Sequence, residues 1–451
     1  MSTHKLVILF ALAVLACWLA VPCFADSQAR IVRLSQVEGD LQIDRNTGQG
    51  YEKAFVNLPI TQGTKLRVGD DARAEIEFED GSTLRITPGT VVEFSALALR
   101  DSGARVSALN LQGGTAYLNF KGEKEEEFTL GFGREKLALT KPAHLRIELK
   151  DTAATLAVFK GDVEAEGASG KVDVEKKHSV TFDLAADRYT LTKNLEPDPY
   201  DEWDKQQEKY HQQYSASSSN SYSNYRYGVS DLNYYGSFYN VPGYGTMWQP
   251  YLVGAGWDPF MNGAWMWYPG FGYTWVSAYP WGWTPYRYGS WAFVPSYGWF
   301  WQPGRTWAGW NTVPQIVNPP QSFSFPRPPG KPGQTLVVSR GALPAPVRVV
   351  QNRVEVRGDS AGLGVPRGSV RNLGKISQQF ERPTSARGTI QAPLGGSAAR
   401  LSGTSRPSAS RTAPPARSAP PARSAPPASG ASPRMSAPAP SSSSSHGAPH
   451  K

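Results

Sequence analysis

Thiols are almost absent from this chain. Its 451 residues include two cysteines, Cys17 and Cys23, and both fall within residues 1–25. Once that segment is removed on export, the remainder can form no disulfide, no zinc–thiolate site and no cysteine nucleophile. Histidine is scarce too: His4, His144, His178, His211, His446 and His450 are scattered without metal-ligand spacing. No metal and no cofactor is therefore expected. No apolar run of about 18 residues, the length needed to span a bilayer, follows Ala20. Acids are few from Gln321 onward, where eighteen Lys/Arg face three Asp/Glu. That surplus exceeds the whole-chain net charge of +9, so the preceding part is net negative and only the C-terminal stretch attracts anionic partners.

Reaction centres are missing as well. Gly358-Asp359-Ser360-Ala361-Gly362 fits the G-x-S-x-G expression. It sits in a Pro/Gly/Arg-rich stretch without the preceding strand and following helix that a nucleophile elbow requires. Gly131-Phe132-Gly133 lacks the third glycine of a dinucleotide loop and reads as a bend between strands. Residues 123–127 form an acidic cluster expected to be solvated at a strand edge. The chain is expected not to be an enzyme.

What is present divides the chain. Lys5, the apolar run 6–20 and Cys23-Phe24-Ala25 read as a signal peptide over residues 1–25. The protein is thus expected to be exported to a periplasm, cell envelope or exterior, with no membrane span left in the mature chain. A lipoprotein signal modified at Cys17 is the rival reading. Residues 30–194 alternate apolar and polar positions in many short runs, broken by turn signals such as Asp80-Gly81, Pro88-Gly89 and Gly113-Gly114. Such a pattern predicts an all-β sandwich or β-roll. A short helix is expected over 198–214, opened by Asp198 and Pro199, and a Ser/Tyr/Asn-rich linker over 215–230.

Within 231–314 lie three copies of one unit, residues 235–261, 262–287 and 288–314, holding twelve of the fourteen tryptophans. Phe238, Trp265 and Trp291 fall in register, as do Trp248, Trp275 and Trp301, and Trp257, Trp283 and Trp310. A period of 26 or 27 residues marks a repeated supersecondary unit. Each copy predicts two aromatic strands around a Pro-x-(Tyr/Phe)-Gly or similar turn, giving a small antiparallel β domain of three hairpins. Most rings are needed for its core. Three small hairpins are expected to leave some exposed, and Trp248, Trp265, Trp267, Trp275, Trp291, Trp299 and Trp301 are the candidate binding surface. Asn240, Gln249, Asn262, Gln302 and Asn311 could hydrogen-bond sugar hydroxyls. From 315 to 451, Pro, Ser, Ala and Arg dominate, and a disordered tail is expected, with a weaker apolar patch over 335–354 able to pair locally.

Two resemblances follow from these residues. The ordered pieces Asp80-Gly81-Ser82-Thr83-Leu84-Arg85-Ile86, Leu111-Gln112-Gly113-Gly114-Thr115-Ala116-Tyr117-Leu118, Phe128-Thr129-Leu130 and Thr155-Leu156-Ala157-Val158-Phe159-Lys160-Gly161-Asp162-Val163-Glu164 resemble the pattern of FecR-like domains. That likeness implies a bacterial envelope protein. In regulators of this kind the domain senses an outer-membrane transporter and controls a sigma factor across the inner membrane, an arrangement needing a cytoplasmic N-terminal domain and a spanning helix. Residues from Tyr227-Gly228-Val229-Ser230-Asp231-Leu232 to Gln302-Pro303-Gly304 resemble an uncharacterised bacterial Trp/Tyr/Gly-rich family that often follows a FecR-like domain. The expected function is non-catalytic binding or scaffolding of an envelope glycan, peptidoglycan or protein through exposed rings. The basic tail would contact an anionic polymer, and nucleic acid is a poor fit because aromatics do not interleave with its arginines. The alternative is the periplasmic sensing part of a FecR-type signalling system.

Overall fold

A computed structural model describes residues 30, 32–215, 228–307, 313–340, 349–350, 353–381 and 389–393. All belong to one compact unit, Met1–Thr404. The expected signal peptide over 1–25, with Cys17, and the stretch 394–451 of the expected tail lie outside the described residues.

Seventeen strands, from Val32–Glu38 to Arg188–Thr192, share one hydrogen-bonded network. Two layers arise because the long strand Arg105–Phe120 turns a corner at Gly113-Gly114. Its first half pairs with Val91–Leu99 and, in parallel, with Glu126–Phe132, while its second half pairs with Thr83–Ile86 and Ala143–Leu149. Gly114 makes the corner possible: at φ +84° a Cβ there would lie 2.5 Å from Thr90 Cα. Alternating residues such as Leu34, Ile76, Leu84, Leu118, Leu145 and Leu156 fill the space between the layers and are fully buried.

The three repeats form the hairpins their period predicts: Gly236–Val241 with Gly245–Pro250, Asn262–Tyr268 with Gly272–Ser277, and Tyr288–Val294 with Gly298–Trp307. Residues aligned by sequence are direct cross-strand partners, Phe238 with Trp248, Trp265 with Trp275 and Trp291 with Trp301. A glycine also recurs because each tryptophan lies across the facing strand. A Cβ on Gly236 would meet Trp248 at 2.3 Å, one on Gly263 would meet Trp275 at 2.5 Å, and one on Gly289 would meet Trp301 Nε1 at 2.9 Å.

The hairpins do not close into a barrel. The first and third join, through Trp248 opposite Trp301, in a five-stranded sheet completed by Gln315–Val317. The second forms a separate three-stranded sheet with Leu336–Ser339, and its Ala264, Met266, Tyr268 and Val276 merge into the core of the seventeen-stranded domain. Tyr268 hydroxyl donates to Pro59 O at 2.9 Å, and Asn57 Nδ2 donates to the carbonyls of Ser277 and Tyr279 at 3.0 and 2.7 Å.

The expected helix forms as Asp201–Ser215. Asp198 Oδ1 accepts from Tyr200 N at 2.8 Å and Asp201 Oδ2 accepts from Asp198 N at 2.9 Å, a reciprocal cap. A second helix, Val229–Tyr235, occupies the end of the expected linker and the start of the first repeat.

The tail expectation needs correction over the described residues between 315 and 393. Besides Gln315–Val317 and Leu336–Ser339, this stretch forms an antiparallel pair of strands, Arg353–Arg357 and Thr389–Pro393, and a helix, Leu373–Phe380. Val354, Val356, Ala361, Val365, Val370, Leu373 and Phe380 are buried against the tryptophans. The surrounding Pro and Gly hide sparse apolar residues that need a pre-existing aromatic surface to order.

Candidate functional site

Strict alternation puts a polar row on the outer face of one layer. Glu75, Arg85, Tyr117, Arg146 and Ala157 lie side by side on successive strands, and Arg33 faces Glu77. A polar face normally meets water. Here the helices Asp201–Ser215 and Val229–Tyr235 and the segment around Arg367 cover it, so the charges pair with one another instead. Glu75 accepts from Arg85 Nε at 2.8 Å, Arg367 Nη1 at 2.6 Å and Ser35 Oγ at 2.8 Å, and lies 2.9 Å from His211 Nε2. Asp231 accepts from Arg367 Nε and Nη2, both at 3.0 Å, and from Tyr210 hydroxyl at 2.8 Å, and it pairs with Arg33 Nη2 at 2.7 Å. Arg85 reaches Asp204 on the first helix at 2.7 Å. Arg33 also donates to Pro280 O at 2.7 Å, in the loop after the second hairpin.

This hub ties together the seventeen-stranded domain, both helices, the aromatic repeats and the C-terminal segment. Burial is the largest single influence on Glu75 and raises its pKa, but His211, Arg367 and Arg85 together hold it well below the usual carboxylate range. Asp231 is likewise lowered, with Arg367 and Arg33 outweighing burial. Glu77 goes the other way: burial exceeds the pull of Arg33 and raises its pKa. The groups are fixed in mutual pairs. Such an arrangement positions segments.

The sequence-predicted binding tryptophans sit elsewhere than expected. Trp248, Trp265, Trp275, Trp291, Trp299 and Trp301 are buried, and Trp267 is half-buried with its ring edge against Tyr273. Their exposure is corrected: the seven rings form no open platform. Carbonyls satisfy several of them, with Trp248 Nε1 donating to Leu232 O at 3.0 Å, Trp265 Nε1 to Pro326 O at 2.9 Å and Trp301 Nε1 to Tyr288 O at 2.7 Å. The proposed sugar-binding amides are engaged too. Asn262 Nδ2 donates to Tyr279 hydroxyl, Gln249 Nε2 to Tyr297 O and Trp299 O, and Gln302 Nε2 to Tyr244 O, while Asn240 is exposed. Trp310 and Asn311 lie outside the described residues.

Among the described residues, the exposed large apolar side chains of the aromatic half are Tyr239 at 43% and Tyr297 at 71% exposure, with Leu336 at 40% and Val337 at 72% on the strand flanking the second hairpin. Tyr297 occupies the turn of the third repeat, so its place at a Pro-Ser-Tyr-Gly turn was the available signal. The apolar patch over 335–354 marked Leu336–Ser339 as able to pair, but its partner is the distant second hairpin and not a local strand.

Other readings resolve plainly. Ser360 follows the strand Arg353–Arg357, contrary to the expected context, but its Oγ points inward and donates to Arg357 O at 2.9 Å. The acids at 123–127 flank a strand paired on both sides, not an edge, and Arg100 and Arg105 engage Glu127, Glu126 and Glu123. Among the described residues no helix is long and apolar enough to cross a membrane, and no group of three or more His, Cys, Asp or Glu is placed to hold a metal.

An all-β domain with a corner-turning long strand, welded to a tryptophan-rich three-hairpin unit, defines the class of protein. Two family models match separate parts of the chain. Residues 64–164 match the model of the FecR protein family, and residues 229–318 match that of a family of unknown function, DUF6600. No curated protein matches. Two crystal structures of a "putative anti-sigma factor" from Parabacteroides distasonis ATCC 8503 align at 14% and 12% identity, with TM-scores of 0.26 and 0.25. They cover 31% and 29% of this chain, and the chain spans 63% and 59% of theirs, less than two thirds of either.

Proposed function

We propose that this chain is an exported, non-catalytic envelope component that works by binding a protein partner within a FecR-type signalling system. One observation carries the reading. The converging titratable groups Glu75, Asp231, Arg33, Arg85 and Arg367 are spent on one another inside the hub, where they lock segments together. The match of residues 64–164 to the FecR family supports the signalling context. A protein partner is favoured over a glycan because six of the seven candidate tryptophans are buried and Trp267 is half-buried, whereas Tyr239, Tyr297, Leu336 and Val337 face outward. The basic C-terminal stretch adds a loose electrostatic contact to an anionic envelope polymer.

The test uses purified full-length chain incubated with isolated peptidoglycan and, separately, with cross-linked envelope extract. The reading expects a specific protein to be recovered, with recovery lost in Tyr297→Ser/Val337→Lys, and no release of peptidoglycan fragments. Fragment release would establish an enzyme. Retention on peptidoglycan alone, unchanged by those substitutions, would replace the protein partner with a glycan. Fractionation checks export: recovery of the chain in the cytosol would sink that part.

A further inference from the structure

The strand Arg188–Thr192 is unlike the other strands of the FecR half, because all five of its residues are exposed. It pairs in register with Ser179–Asp183, and no other strand among the described residues has a register against it. Its two faces are chemically distinct. On the core side, Tyr189 is opposite Phe182 and Leu191 is opposite Val180; Phe182 and Val180 are fully buried, yet Tyr189 and Leu191 remain 41% and 46% exposed. The apolar face of the sheet therefore runs one strand past the layer that covers it. On the outer side, Thr190 continues a row with Thr181 and Thr155, beyond the reach of the helix that covers Arg146 and Tyr117.

Edges of soluble sheets are ordinarily blunted by charge, proline or shortness. Pro59–Ile60 is two residues long with a proline, and Glu52–Lys53 is two residues long and charged. Arg188–Thr192 has none of these devices over its last four residues. We propose that this edge is a self-association surface, pairing antiparallel with the same strand of a second copy about a two-fold axis through Thr190.

The register makes the strand complementary to itself. In that pairing Tyr189 of each copy lies opposite Leu191 of the other, twice, burying the overhanging apolar face. Thr190 meets Thr190, a tolerated cross-strand pair. Arg188 lies opposite Thr192 and not opposite its own equivalent, and it stays 3.7 Å from Asp183 of its own copy. A two-fold contact is isologous, so one edge suffices for both partners and the assembly closes as a dimer. Five paired residues with their flanks bury on the order of 1,000 Å² in total, the lower bound for a specific interface. An interface of that size stands at the weak, transient end.

Sedimentation of the full chain from about 1 to 100 µM is expected to show a monomer–dimer shift. Tyr189→Lys/Leu191→Lys sets like charges opposite one another and should weaken association at least about tenfold. As a readout that leaves the surface intact, Thr190→Cys in a Cys17→Ser/Cys23→Ser background should give a disulfide-linked dimer on mild oxidation, because the two Cβ atoms fall within bridging distance. Thr155→Cys, on the same face two strands inward, should not. A monomer throughout with no Thr190→Cys cross-link overturns the proposal. So does a dimer that Tyr189→Lys/Leu191→Lys leaves intact, or one that Val337→Lys dissolves.

Discussion

Arg367→Met tests how the C-terminal segment is held. The Arg367 guanidinium is buried, donates to Glu75 and twice to Asp231, caps Ser35 O at 3.0 Å and lies over the Tyr210 ring at 5.0 Å. Removing one partner of a buried ion pair costs about 3–5 kcal/mol, since a charge is left without compensation. Here Glu75 retains Arg85 and Asp231 retains Arg33, which places the loss near the lower end, about 3 kcal/mol. For a body of more than 300 residues that corresponds to roughly 4 °C in Tm, read by tryptophan fluorescence at neutral pH. The acid limb provides a second readout. Glu75 and Asp231 titrate below their unfolded values, so their contribution is present above the ordinary carboxylate range and is lost as pH falls through the depressed values. Arg367→Met should flatten that limb. Arg371→Met, at an exposed position four residues on, is the control. If both variants melt within about 2 °C of the parent and keep the same acid limb, the hub does not hold the segment.

Three further outcomes follow from the geometry. Glu126 is pushed up to about 8, first by burial and then by its hydrogen bond and charge interaction with Asp80, against the pull of Arg105. Between its ordinary value and about 8 the folded chain keeps a proton that the unfolded chain releases, so stability falls as pH rises through that window. Allowing for partial solvent access, Glu126→Gln should stabilise by about 1–2 kcal/mol at alkaline pH and leave stability near pH 4.5 unchanged, as urea titrations at the two pH values would show. Gly263→Ala forces a Cβ to 2.5 Å from the Trp275 ring and should cost about 2–3 kcal/mol. Gly256→Ala, in open space, should cost far less by the same assay. Asn57→Ala removes the donor shared by Ser277 O and Tyr279 O and the acceptor for Arg33 Nε, and should cost about 2–4 kcal/mol in the same urea assay.

Much of the local structure was legible. The 26- or 27-residue period located all three hairpins, and the aligned aromatics proved to be cross-strand partners because strand register and sequence register share the same turn. Asp198 marked the helix start for the physical reason that its carboxylate caps Tyr200 N. Long-range coverage was not legible. Alternation placed Glu75, Arg85 and Tyr117 on a polar face, but only distant residues such as Asp204, Asp231 and Arg367 reveal that the face is covered; Arg367 and Glu75 are 292 positions apart. The tryptophans looked partly exposed because three isolated hairpins cannot hide them. In the folded chain the FecR core covers Met266 and Tyr268, and the segment bearing Val354, Val365, Leu373 and Phe380 covers much of the rest.

Hydrogen exchange of the full chain, resolved by peptide, bears most directly on the claim that FecR domain, aromatic repeats and C-terminal segment are one body joined at the charge hub. The account predicts that Arg73–Glu77, Asn262–Tyr268 and Leu373–Phe380 are all strongly protected, and that Arg367→Met lowers protection in all three. Fast exchange across Leu373–Phe380 beside an undisturbed Arg73–Glu77 would contradict it.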